Sequence, residues 1–176
     1  TEIYTLSLHD ALPICSMGKP YGQAVHWVIA EPMPQAAAAM MIRSSAPFPE
    51  PRIVFSALDA DVAFEIEEDW ASSGVLVVSN ARSHRMRDDV PLVVPELNAD
   101  HLALVNRQPY PNGGAIVTNP NCSTIGLVLA LKPLERAFGL KAVNVVTLQA
   151  ASGAGYPGVP FMDLIDNALP FIPGEE

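Results

Sequence analysis

Between Arg52 and Asn80 the chain runs strand, helix, strand with almost no spacer, and this constrains its fold more than any other feature. Arg52-Ile-Val-Phe-Ser-Ala-Leu58 is a short apolar run of branched and aromatic residues, suited to a buried strand. Asp61 to Ser73 then carries apolar residues at helical spacing, with Val62, Ile66 and Trp70 on one face. Gly74 stands where a helix C-terminus favours glycine. Val75-Leu-Val-Val-Ser-Asn80 is a second buried strand. Two buried strands joined by one helix form a βαβ unit, which implies parallel pairing and a right-handed crossover. The expected class is therefore α/β.

The rest of the chain fits around that unit. Residues 31–51 are rich in Pro and Ala and predict a loop around a short helical piece. An apolar segment from Pro91 to Leu97 precedes a short helix near Asp100–Asn106, and Ala115-Ile-Val-Thr-Asn119 predicts another strand. A longer helix is expected over Ser123–Phe138, with Leu127, Leu131, Leu134 and Phe138 on one face and Gly139 ending it. Pro133 should kink or break that helix, because it removes a hydrogen bond and crowds the preceding turn. Val143 to Gln149 predicts a strand, followed by a glycine-rich loop over Ala150–Pro160. No internal repeat is visible. No G-x-G-x-x-G follows a strand, so the usual dinucleotide fingerprint is absent.

The opening, TEIYTLSLHDALPIC, matches poorly with the residues from Ser16 onward and resembles translated sequencing-adapter DNA. The expectation is that residues 1–15 are foreign to the natural protein, the alternative being an ordinary N-terminal strand and loop.

Composition excludes several function classes. With 49% hydrophobic and 16% charged residues, the chain can bury a core. A net charge of −9, without a Lys/Arg cluster, disfavours a nucleic-acid partner, yet one or two local arginines can still hold a phosphate. No apolar run approaches the roughly 20 residues that cross a bilayer, so no membrane partner is expected. No His, Cys and acid cluster has ligand spacing, so no metal is expected. Two cysteines in unlike contexts, Cys15 and Cys122, and no signal-peptide pattern point to a reducing cytoplasm.

Thr118-Asn-Pro-Asn-Cys-Ser-Thr124 carries the most chemistry. A cysteine here sits between a strand and the first turn of a helix. Unpaired backbone N–H groups and the helix dipole at such a place favour the thiolate, the form a covalent catalyst uses. A buried, inert cysteine is the competing reading from position alone.

Asn119-Pro-Asn-Cys-Ser-Thr124 resembles the active-site segment of aspartate-semialdehyde dehydrogenases, most closely the branch of archaea and fungi. Ser79-Asn-Ala-Arg-Ser-His-Arg-Met86, Asp88-Asp-Val-Pro-Leu92 and Pro95-Glu-Leu-Asn98 agree upstream. Gln149-Ala-Ala-Ser-Gly-Ala-Gly-Tyr156 and Asp166-Asn-Ala-Leu-Pro-Phe171 continue in the same order, so the likeness extends from about Ser16 to Glu176. The resemblance implies the later part of a Rossmann-type NADP-binding domain over 16–118, then the start of an α+β catalytic (dimerisation) domain over 119–176. The family's Gly-x-x-Gly-x-x-Gly turn normally precedes Ser16, and its acid/base histidine and carboxylate-gripping arginine follow Glu176. The chain is therefore expected to lack both ends of the enzyme and to be inactive alone.

The resemblance also implies roles. Cys122 attacks the substrate carbonyl, and Gln149 holds the substrate and the bound intermediate. Arg85 binds phosphate with a guanidinium's paired donors. Asn121 lines the substrate pocket, and Glu175 contacts the substrate's amino group. Ser152 and Gly153 approach the nicotinamide of NADP, and Ser16 lies near the adenosine 2′-phosphate. Ser56 and Asn80 end strands facing the cofactor crevice. The implied reaction interconverts aspartate semialdehyde and β-aspartyl phosphate with NADP and phosphate, on the way to lysine, threonine and methionine, in a homo-dimer or homo-tetramer. Two alternatives stand beside it: a malonyl-CoA or succinyl-CoA type reductase of the same family, and an inactive fragment. A cysteine hydrolase finds no histidine paired with Cys122 in sequence.

Overall fold

A computed structural model describes residues 16–27, 29–151 and 158–170, and of residues 3–7 the backbone. The chain forms two compact units, Thr1–Gly139 and Leu140–Glu176.

The first unit is built on a sheet of four parallel strands: β1 (Ile3–Ser7), β2 (Ile53–Ala57), β3 (Leu76–Ser79) and β4 (Ala115–Thr118). Ile3–Ser7 lies within residues 1–15, the stretch expected to be foreign, and its backbone pairs with β2 over its whole length. Two one-turn helices, α1 (Tyr21–Ala24) and α2 (Gln35–Ala38), precede β2, and α3 (Ala60–Ser72) connects β2 to β3. The longer path from β3 to β4 holds α4 (Pro95–Asn98) and a 3₁₀ helix, Ala99–Arg107.

Alternation along the strands decides what is inside. Val54, Val77 and Ile116 share one register row and are fully buried. They pack with Trp70 and Ala71 of α3, and with Val75 and Val90. The opposite sheet face carries Phe55, which is 42% exposed. Trp70 satisfies its indole N–H on the Ser45 carbonyl at 2.7 Å and takes the edge of Phe48 at 5.2 Å.

The end of α3 follows from Gly74, whose φ of 91° lies where residues with a Cβ are strained. Gly74 N–H donates to the Ala71 carbonyl and Val75 N–H to the Trp70 carbonyl, so the last turn's carbonyls are satisfied as the chain turns into β3. The buried stripe of α3 differs from the expected Val62–Ile66–Trp70 face. It runs through Ala63, Glu67, Trp70 and Ala71, while Val62 is exposed. The physical reason is that a carboxylate with hydrogen-bond partners on the strands occupies a sheet-facing position, so apolar spacing alone points one residue off.

α5 (Cys122–Phe138) runs unbroken through Pro133 and ends at Gly139, with φ 72°. The break that Pro133 suggests does not occur. The expected apolar face is only partly covered: Leu127 and Leu131 are half-buried, and Leu134 and Phe138 exposed.

In the second unit, the strand expected over Val143–Gln149 does not form. A strand needs a ladder partner for its N–H and C=O groups, and none of the described residues supplies one to this run. Val146 and Leu148 are each 90% exposed. A one-turn helix, α6 (Phe161–Leu164), closes the described part of this unit.

Candidate active site

Polar residues converge where the parallel strands end. β3 stops at Ser79, and the next residue, Asn80, is exposed. β4 stops at Thr118, and Asn119 comes next. The two asparagines are joined, Asn119 Nδ2 donating to Asn80 Oδ1 at 2.9 Å, and the same nitrogen reaches the Pro120 carbonyl at 3.0 Å. The backbone repeats the link, Asn119 N–H donating to the Ser79 carbonyl at 3.3 Å. Arg85 enters the group from the loop after β3, with Nη2 donating to the Asn80 carbonyl at 3.1 Å. Chain segment 91–93 runs beside the end of β4: Thr118 N–H donates to the Pro91 carbonyl and Val93 N–H to the Thr118 carbonyl.

Cys122 is the first residue of α5, and its thiol is free and exposed. Asn121 caps the helix, its Oδ1 accepting from Ser123 N–H at 2.9 Å and from Ser123 Oγ at 2.7 Å. The cap fixes where the helix begins, and so aims Cys122 out of the strand–helix turn. Asn121→Ala is expected to lower stability by about 1 kcal/mol, with Asn121→Asp retaining most of it. Denaturant midpoints test this; an alanine variant as stable as the parent would mean that the cap does not set the helix start.

Beneath the edge lies a buried polar layer that the sequence did not reveal. Ser56 and Ser79 are register partners on adjacent strands. Both hydroxyls donate to Glu67 Oε1, at 2.5 and 2.7 Å. Glu67 Oε2 faces His84 Nε2 at 3.5 Å, with both side chains fully buried. The His84 ring stacks on Phe64, centroids 4.8 Å apart. Burial pushes the Glu67 carboxyl above its ordinary value, against the pull of the two serine hydroxyls. Burial pushes His84 below its ordinary value, helped by Arg87, with Glu68, the Phe64 carbonyl and Asp89 opposing. Next to it Arg87 bridges Glu68 at 2.6 Å and Asp89 at 2.8 Å.

The sequence-derived site residues separate accordingly. Cys122, Asn121, Asn80 and Arg85 belong to the sheet edge. Ser56 is buried with its hydroxyl turned to Glu67 rather than outward. Ser16 is buried in the segment before α1. Gln149 is half-buried and belongs to the second unit. Ser152, Gly153 and Glu175 lie outside the described residues. Asn119, Glu67 and His84 were missed as site components. The position of Asn119 directly after a strand that ends level with Asn80 was the available signal.

Residues 10–105 match the model of the semialdehyde dehydrogenase NAD-binding domain, and residues 131–176 that of the semialdehyde dehydrogenase dimerisation domain. The chain belongs to the semialdehyde dehydrogenase family. Among its relatives, the aspartate-semialdehyde dehydrogenase of Archaeoglobus fulgidus is 49% identical over 163 residues, covering 91% of this chain and 47% of its own. That of Schizosaccharomyces pombe is 47% identical over 167 residues, with 92% and 47% covered. The crystal structure of aspartate semialdehyde dehydrogenase with NADP from Candida albicans superposes with a TM-score of 0.78 at 33% identity, covering 97% of this chain and 56% of that one. The chain thus spans about half the length of the curated relatives it matches. Among the described residues, no helix of this family member is long and apolar enough to cross a membrane.

Proposed function

We propose that this semialdehyde dehydrogenase chain carries the nucleophile and phosphate-binding half of an enzyme that interconverts aspartate semialdehyde and β-aspartyl phosphate. The observation that carries the reading is the placement of Cys122, exposed at the first turn of α5 and close in sequence after Asn119, whose side chain bonds Asn80, the residue whose carbonyl receives Arg85. Parallel sheets bind ligands beyond the carboxyl ends of their strands, where this group lies. The donor set fits a nucleotide there, with the Asn80 side chain exposed and amide-bearing residues ending two adjacent strands.

Cys122 forms a bond from Sγ to the acyl carbon as the acyl–phosphate bond breaks, leaving a thioester. A thiolate suits both directions, being a good nucleophile and a good leaving group. Arg85 holds the departing or attacking phosphate through paired N–H donors. N–H groups at the start of α5 favour the negative oxygen that develops on the substrate. Asn121 borders the substrate. NADP, when bound, supplies the hydride-carrying nicotinamide; Asn80 and Ser16 are its proposed contacts. Residues 16–118 serve the cofactor and 119–176 begin the catalytic and dimerisation part, through which two or four copies assemble in the cytoplasm.

The decisive assay is phosphate-dependent NADP reduction with aspartate semialdehyde, in a protein of the relatives' full length carrying this segment. Activity is expected, with Arg85→Ala raising KM for phosphate at least about tenfold and leaving KM for NADP within about twofold. Activity only with a CoA thioester would move the assignment to an acyl-CoA reductase, and matched losses in both constants would remove the phosphate role of Arg85.

A further inference from the structure

The loop that carries Arg85 is fastened to one stripe of α3. Ser83 Oγ donates to the Ala60 carbonyl at 2.8 Å. His84 stacks on Phe64 and faces Glu67. Arg87 bonds Glu68. Residues 60, 64, 67 and 68 follow helical spacing, so a single face of the helix receives three successive anchors from residues 83, 84 and 87. Inside the loop, Arg85 N–H donates to the Arg82 carbonyl and Arg87 N–H to the His84 carbonyl. Arg85 is therefore bracketed, with His84 buried immediately before it and Arg87 two residues later.

The contact at the centre of this stripe is unusual. Glu67 Oε2 and His84 Nε2 are both buried and face each other at 3.5 Å, and among the described residues neither has a hydrogen-bond partner. Two polar atoms left apart in a core would each carry a desolvation penalty. At 3.5 Å the two atoms close no hydrogen bond, but a proton on either one favours keeping them face to face. Glu67 Oε1 meanwhile grips Ser56 and Ser79, the two strand residues just below the crevice. A single carboxyl thus ties helix, sheet edge and loop together. Packing alone does not require this arrangement, because an apolar pair of similar shape would fill the same space without the penalty.

We propose that Glu67 and His84 are positioning residues for Arg85, their buried contact holding loop 80–87 on α3 so that the guanidinium meets the substrate phosphate in a fixed place. The inference rests on the phosphate role given to Arg85 above. Positioning of this kind matters because a displacement of about 1 Å in a substrate-holding group can lower rates roughly a hundredfold.

The test uses the full-length protein and inorganic phosphate as the varied substrate. His84→Phe keeps a ring against Phe64 and removes the nitrogens facing Glu67. It is expected to raise KM for phosphate about tenfold while KM for NADP stays within about twofold. Glu67→Gln, which keeps an acceptor for both serines and an N–H for His84, is expected to stay within about threefold of the parent. Ser83→Ala loosens the same loop without touching the core, and should shift the phosphate constant in the same direction by about threefold. In an Arg85→Ala background, His84→Phe should add nothing further. Equal shifts in both constants, no shift, or an undiminished effect without Arg85 would each overturn the positioning role. If Arg85→Ala leaves phosphate use unchanged, the reading of Arg85 fails and this inference with it. If Arg85→Ala acts and His84→Phe and Ser83→Ala are silent, the inference alone fails.

Discussion

Gly114→Ala is expected to destabilise the fold by about 3 kcal/mol, the upper end of what overpacking usually costs. Gly114 precedes β4 and passes directly over the end of α3. A Cβ built on it would lie 1.9 Å from the Ala71 carbonyl oxygen and 3.0 Å from the Ala71 carbonyl carbon. Both sides of that clash are backbone. Ala71 is itself fully buried in the main core, and the neighbouring Ala115 N–H is bonded to the Val75 carbonyl. Nothing can rotate aside, so helix and strand must separate and open the Trp70 layer. In a domain stable by only about 5–15 kcal/mol, such a loss lowers the melting midpoint by roughly 10 °C. Gly126→Ala is the control. A Cβ there meets nothing within 4 Å, and alanine is the better helix former. Thermal melts of the two variants separate the claims, and a Gly114→Ala protein melting with the parent would contradict the close approach.

The second large effect is chemical. Cys122→Ala, in the full-length protein, is expected to lower turnover by about 10⁴-fold or more while NADP affinity is unchanged. The asymmetry comes from where the residue sits. Its side chain is exposed beyond the end of β4, outside the buried clusters, so its removal leaves the core and the Asn80–Asn119 bridge intact. Cofactor titration by fluorescence, alongside steady-state rates, distinguishes a lost nucleophile from a lost fold. Substantial residual turnover would mean that the covalent route does not run through this sulfur.

The sequence was informative where one local cause decides the outcome. Gly74 ends α3, the strand runs at 52–58 and 75–80 pair in parallel, and the strand–cysteine–helix order at 115–122 puts Cys122 at a helix start. It was silent where partners distant in the chain decide. Glu67 sits in the acidic run Glu65–Asp69, which reads as a solvated face, and only Ser56 and Ser79 make it a core residue. His84 has no local pattern that separates core from surface. Pro133 breaks nothing, because helix propagation on both sides outlasts one missing bond in α5. The run at 143–149 has strand composition, but composition supplies no neighbour. The resemblance of the 119–124 segment marked the nucleophile, yet could not tell that Ser56 would spend its hydroxyl inward.

The sheet's spatial order repeats its chain order, β1-β2-β3-β4. Each strand therefore docks on the one made just before it, and no strand must wait for a later one to be inserted beside it. During synthesis from the N-terminus, every parallel pair can close once its own crossover has left the ribosome, and each closure spans only that crossover. Among the described strands, the newest edge is always the one opposite β1. At β4 that edge is partly occupied by segment 91–93, already made and lying parallel to Thr118. The outer side of β4 is thus met in part by earlier chain, which narrows the opening through which two nascent copies can pair edge to edge there.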